Sequence, residues 1–478
     1  MFVRQYLLQL LETSQRSYIL PTTVDARPVP NCRNLPNTDR VRKTMKISGI
    51  LLHATLTASV VLTSTARRIA AQATTLTADV RREVIDTVAN QLERVYVDAD
   101  TGRMIANRLR ERLRAGIYDT ITDPIRLSQL LTTDLRSLNH DLHLSVAYSA
   151  GTAGGGRAGG PPAFLSKSQH YALGRVDVLP GNIGYMEING FSSDAGARDA
   201  IVGALTYLQT TDAMIIDLRR NRGGDGNLVN FLISHFTGPD TLASVNVKVR
   251  AGGRSFTRYT LATVPGPRRP DVPLYVLTSR ATGSAGEDCA FVLKNLKRAT
   301  IIGDRTAGAG HNVTGVPSGH GFVTNISFSR VSDPKTGQEW EQVGVQPDIK
   351  VDVSTALDVA QSMALKAAVS KADGSQRTVL ETALMSAEAR LKPHDVSAAV
   401  LARYAGEYEG GRRVSVVGRS LVYESPIGGL SETLIPLSDS VFVTPSQTRV
   451  QFEIDGSGKG RLGTSAGGAT TWWKKHSE

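Results

Sequence analysis

The chain has 478 residues, with 41% hydrophobic, 21% charged and 6% aromatic side chains. This globular composition excludes wholesale disorder, a collagen-like chain and a multi-span membrane protein. The formal net charge of +11 sits mostly at the amino terminus: residues 1–73 hold 10 Lys/Arg against 3 Asp/Glu, and the remainder 45 against 41. No basic stripe with interleaved aromatics follows, so no nucleic-acid partner is expected.

The first predicted element begins at Met45, in MKISGILLHATLTASVVLTSTARRIAAQATT. Lys46 is a short positive start, Ile47 to Leu62 an uncharged and mostly apolar stretch, and Ala71-Gln72-Ala73 a small-residue cleavage site. Residues 45–73 therefore read as a secretory signal peptide, too short for a stable membrane anchor. On that reading residues 1–44, with Pro21, Pro28, Pro30 and Pro36, are an extension or a mis-called start. The mature chain is then exported, periplasmic or secreted. Cys32 would be lost with the leader, and the remaining Cys289 makes no intramolecular disulfide.

Residues 74–150 carry apolar side chains at spacings of three and four, which predicts a small helical domain of two to four helices. A Gly-rich linker over 151–170 follows (GTAGGGRAGG). Residues 171–355 alternate strands (NIGYMEI, AMIIDLR, PLYVLTS, ATIIGD) with helices of about ten residues, which predicts βαβ units and a mostly parallel sheet. A helical connector is expected over 356–395. Short alternating segments from 396 to 478 (RRVSVV, SLVYE, SVFVT, RVQFEI) predict a small all-β module.

Four clusters carry candidate chemistry. In SLNHDLHLSVAY, His140 and His143 flank Asp141 and Leu142, and a histidine here is a candidate general base. If the segment is extended, Asp141 and His143 share one face and Leu142 and Leu144 point to the core. In IIDLRRNRGGDGNL a buried strand ends and Gly223-Gly224 precede a helix, where backbone N–H groups can hold an oxyanion. In LTSRATGSAGEDCAFVLKNL, Ser284 opens a helix, with the Ala285 N–H beside it. That suits a serine nucleophile, while an ordinary N-cap is the commonest fate of a serine before a helix. In EWEQVGVQPDIKV, Glu341 precedes a Gly-Val turn and is either a carboxylate that supports a catalytic group or a solvated loop residue.

Together, the order Asp-x-His, DLRxNxGG, TSxxTxSAGE and WExxGVxPD resembles the S41 peptidases. That family includes the C-terminal processing (tail-specific) proteases, the tricorn core and the interphotoreceptor retinoid-binding protein modules. The resemblance covers about residues 78–355. It implies an α/β core of the ClpP/crotonase-like type, with Ser284 as nucleophile, His143 as general base and Glu341 in support. It also implies Gly223 or Gly224 with Ala285 in an oxyanion hole, a peptide or protein substrate, and no metal or other cofactor. The segment GDRTAGAGH, Gly303 to His311, has no Lys where the Ser–Lys branch carries one, and no PDZ domain is visible. The chain therefore resembles the tricorn and retinoid-binding-protein branch. His311 falls near the missing Lys, so His311 and Asp141 are candidate substrate-binding residues. Since the retinoid-binding modules bind hydrophobic ligands on this fold, a non-catalytic carrier is the alternative.

Overall fold

The computed structural model describes residues 75–149, 163–426, 428–466 and 469–476. The expected extension, signal peptide and residues 151–162 of the linker lie outside them. Three helices come first: α1 (Ala78–Val95), α2 (Ala99–Arg114) and α3 (Pro124–Arg136). Each starts on a side-chain cap, as Thr77, Asp98 and Asp123 accept backbone N–H groups at the respective helix starts. Strand β1 (Ser145–Tyr148) follows α3.

The central sheet contains β2 (Leu173–Leu179), β3 (Ile183–Ile188), β4 (Ala213–Asp217), β7 (Leu274–Thr278), β8 (Thr300–Gly303) and β11 (Ile349–Lys350). Their spatial order is β11-β8-β7-β4-β3-β2, parallel throughout except for the antiparallel β2–β3 pair. Strands β4 and β7 are buried along their whole length. A parallel sheet needs cover on both faces, and the side-chain alternation shows how it is met. Met214, Ile216 and Val276 point to one face, against α4 (Gly196–Tyr207), α5 (Gly226–Ser234) and α6 (Ala285–Asn295). Ile215, Tyr275 and Leu277 point to the other, against α7 (Ala356–Val369) and α8 (Gly374–Leu391).

A second sheet is antiparallel and was not foreseen in the sequence. It contains β5 (Ala243–Val249), β6 (Ser255–Tyr259), β9 (Asn312–Gly319) and β10 (Phe322–Ser332), together with β1. Strand β10 is the hub: it pairs with β1 from Ser145↔Asn325 to Tyr148↔Phe322, with β9 along most of its length, and with β5 at its far end. The helices α1–α3 share their core with this sheet, because Phe322 and Ile326 of β10 are buried among Val84, Leu92, Leu127 and Leu131. After α9 (Ala398–Tyr404), two antiparallel sheets between Gly406 and Lys474 enclose a separate core around Tyr404, Tyr408, Phe442 and Phe452. The molecule thus has an α/β core with amino-terminal helices and a carboxyl-terminal β module.

Phe322 ties the helical layer to the sheet, with its ring 4.9 Å from that of Tyr148. Phe322→Ala should cost about 3–5 kcal/mol in urea unfolding, the usual loss for a buried Phe. A loss below about 1 kcal/mol would show that the helices do not depend on this strand.

Candidate active site

In the central sheet β8, β7 and β4 are neighbours, and their carboxyl ends release three successive loops side by side. That edge is where open α/β sheets bind ligands. The loop after β4 carries Asn221 to Gly224, the one after β7 carries Ser284, and the one after β8 carries Thr306 to His311. Buried Asn221 holds the first two together. Its carbonyl accepts the Gly283 N–H at 2.9 Å, its Oδ1 accepts the Gly223 N–H at 2.9 Å, and its Nδ2 donates to Ile188 O at 3.0 Å.

Ser284 stands at the start of α6 with φ 52° and ψ −118°, a conformation that costs a non-glycine residue about 1–3 kcal/mol. Gly223 makes room for it, since a Cβ there would lie 2.8 Å from the Ser284 Cβ. His143 arrives from the other sheet, on the turn before β1, with Nε2 3.1 Å from Ser284 Oγ. Burial, opposed by the charge of Asp141, holds this imidazole below its ordinary range, so it is neutral at pH 7. Its Nδ1 is buried without a hydrogen-bond partner among the described residues.

The segment around His143 is a turn, not the extended run expected from sequence. Asp141 Oδ1 accepts the His143 N–H at 2.9 Å, and the Leu144 N–H reaches Asp141 O at 3.3 Å. Only half of the expected leucine placement holds: Leu144 is fully buried, whereas Leu142 is 45% exposed. A side-chain bond to the backbone two residues on replaced the strand. His140 is exposed, in a left-handed conformation.

Glu341 does not touch His143. It joins Asp141 and His311 in a buried cluster, with His311 Nδ1 3.3 Å from Asp141 Oδ2 and 3.7 Å from Glu341 Oε2. The Gly310 and His311 N–H groups donate to Glu341 Oε2 at 2.6 and 3.1 Å, and Tyr96 OH donates to Asp141 at 3.0 Å. Asn139 Nδ2 donates to that same hydroxyl. Burial pushes Glu341 up to about 6, while the bonds of Asp141, that to His311 foremost, outweigh burial and hold it at about 2. Despite burial, the two carboxylates raise His311. These three residues bring donor atoms within 4.8 Å of one another and are, among the described residues, a group that could hold a metal ion. His311 Nδ1 lies between the same two carboxylates.

The oxyanion candidates separate. The Gly223 N–H is taken by Asn221, whereas the Gly224 and Ala285 N–H groups have no acceptor among the described residues, and both residues line one cleft with Ser284. That cleft has Val245, Val247 and Trp340 on its wall and an Arg258–Asp288 ion pair of 2.7 Å beside it. Asp217 and Arg219 lie outside the site: Asp217 is buried against Tyr185 OH (2.7 Å) and Arg219. Sequence reasoning missed the roles of Tyr96, Asn139, Asn221, Thr306 and Glu287. Only Glu287 left a recognisable mark, as the acidic third residue after a helix-opening serine.

Residues 182–351 match peptidase family S41, and residues 65–168 match the N-terminal domain of peptidase S41 in eukaryotic IRBP. The chain belongs to peptidase family S41. A chloroplastic C-terminal processing peptidase of Tetradesmus obliquus is 31% identical over 180 residues, 36% of this chain and 35% of that protein. A carboxyl-terminal-processing protease of Synechocystis sp. is 29% identical over 202 residues, 40% of this chain and 44% of that one. The chain thus spans less than half the length of either relative. A solved lipoprotein of Streptococcus agalactiae superposes with a TM-score of 0.45 at 16% identity, over 60% of this chain and 96% of that one.

Glu341 supplies a pH test of this S41 site. Its folded value of about 6 lies above the ordinary 4.5, so the folded state holds the extra proton between them and stability falls as pH rises through that window. Glu341→Gln should remove that fall. Relative to wild type, the variant should gain about 2 kcal/mol between pH 4.5 and 6.5 in urea unfolding. A difference that does not change with pH would place the Glu341 proton elsewhere.

Proposed function

We propose that this chain is a serine peptidase that cleaves peptide bonds through an acyl-enzyme on Ser284, without a metal. The observation that carries the reading is the 3.1 Å contact between His143 Nε2 and Ser284 Oγ, within the reach required of a nucleophile and its base. Neutral Nε2 accepts the hydroxyl proton as Oγ bonds to the carbonyl carbon. The Ala285 and Gly224 N–H groups hold the oxyanion. The imidazolium then gives the proton to the leaving amine, and the peptide C–N bond breaks. Water, deprotonated by the same nitrogen, releases the acyl group and restores Ser284. The positive charge formed on His143 is stabilised by Asp141, whose carboxylate stays ionised well below neutral pH.

The substrate is a peptide or protein, in keeping with the processing proteases among its relatives. We further infer export, from the charged start, apolar stretch and Ala71-Gln72-Ala73 site after Met45. Amino-terminal sequencing of cell-derived protein should find a start near Thr74, and an intact Met1 or Met45 in the cytosol would refute it. Among the described residues no helix is long and apolar enough to cross a membrane.

A fluorophosphonate should label Ser284, and both Ser284→Ala and His143→Ala should lower kcat at least about 1,000-fold. A chelator should leave turnover unchanged, and His140→Ala should keep most activity. His311→Ala should act mainly on KM. Because burial lowers His143, the acid limb of kcat/KM should lie below pH 6.5. An unlabelled Ser284, with turnover unchanged in Ser284→Ala, would leave the hydrophobic-ligand carrier as the better reading.

A further inference from the structure

Glu287, the third residue of α6, is fully buried and has no ion-pair partner among the described residues. Its two oxygens accept four hydrogen bonds from two different loops. Oε2 takes the Ser284 N–H at 2.8 Å and the Ala309 N–H at 2.8 Å. Oε1 takes the Gly308 N–H at 2.6 Å and the Thr306 hydroxyl at 2.5 Å. Thr306 Oγ1 in turn accepts the Val345 N–H at 2.7 Å, which extends the set to the chain segment after Glu341.

A buried carboxylate is costly unless its lone pairs are filled, and here three backbone N–H groups and the Thr306 hydroxyl fill them. The start of α6 adds a favourable field. Burial pushes the group up, and its bonds to Thr306, Gly308, Ala309 and Ser284 oppose that rise. A left-handed serine persists only where its surroundings over-determine it, and Glu287 grips that serine by its own amide. The same carboxylate fixes Gly308 and Ala309, immediately before Gly310 and His311, whose N–H groups bind Glu341.

We propose that Glu287 is a positioning residue of this site: it clamps the Ser284 turn to the Thr306–Ala309 loop and thereby aims Ser284 Oγ at His143. This rests on the serine-peptidase reading. Glu287→Gln keeps the volume but turns an NH2 group toward donors that need an acceptor. It should fold cooperatively, lower kcat about 100-fold and slow fluorophosphonate labelling of Ser284 in proportion, as small misplacements of reacting groups do. KM on a fluorogenic peptide should stay within about threefold, because the substrate contacts are intact. A purely structural role would lower unfolding stability and leave kcat per labelled site unchanged. Thr306→Val withdraws one of the four donors and should lower kcat about tenfold; it decides the matter if the Gln variant does not fold. Wild type that labels and cleaves, beside a folded Glu287→Gln or Thr306→Val with wild-type kcat, would overturn the inference. Wild type that neither labels nor cleaves would instead sink the peptidase reading beneath it.

Discussion

The contact between His143 and Ser284 joins residues 141 positions apart, and it depends on one strand pairing. Strand β1 lies against β10, and that register, from Ser145↔Asn325 to Tyr148↔Phe322, sets where the turn before β1 falls. Strand β10 is held in turn by β9 and β5, and its Phe322 and Ile326 close the core of the amino-terminal helices. The distance between a histidine and a serine is therefore set by helix packing and by sheet register together. A slip of one residue would turn every side chain of β1 to the other face.

The other half of the site is made by the parallel sheet. Alternate residues of β4 and β7 are buried against different helices, so neither strand can rotate without exposing an apolar face. Their loops are then bound to each other by buried polar groups rather than by apolar packing. Asn221 ties the glycine loop to the serine loop, and Glu287 ties the serine loop to the one after β8. Such networks are worth most when every member is paired: Asn221 is held by backbone partners, and Glu287 by backbone N–H groups and the Thr306 hydroxyl.

Much of this was legible in the sequence, for identifiable reasons. AMIIDL and PLYVLTS are continuous apolar runs of a length that suits buried strands. Ser284 and Gly224 stand in short motifs beside them, and His143 in another just before β1. Strands β5 and β10 were not legible, because ASVNVKV and FVTNISFSRVS mix polar with apolar residues as half-exposed strands do, and lie next to Gly-rich segments. The turn at Asp141 was hidden because an Asp side chain competes with strand hydrogen bonding. Tyr96 and Asn139 reach Asp141 only through tertiary folding, and no spacing announces them. The placement of Glu341 beside His311 rather than His143 likewise depends on a loop whose path no local pattern specifies.

The origin of the two groups from different sheets bears on how the chain matures. The Ser284 turn, Asn221 and Glu287 lie within about 70 positions of one another, so the surroundings of Ser284 can close before more distant pairings. The β1–β10 pairing joins segments about 180 residues apart, and contacts of that separation form late and slowly. A chain with its parallel sheet complete but that pairing unmade would hold Ser284 without His143 beside it. On the serine-peptidase reading proposed above, such a chain would be inert toward its own unfolded segments, and toward its neighbours, until the last long-range pairing was made.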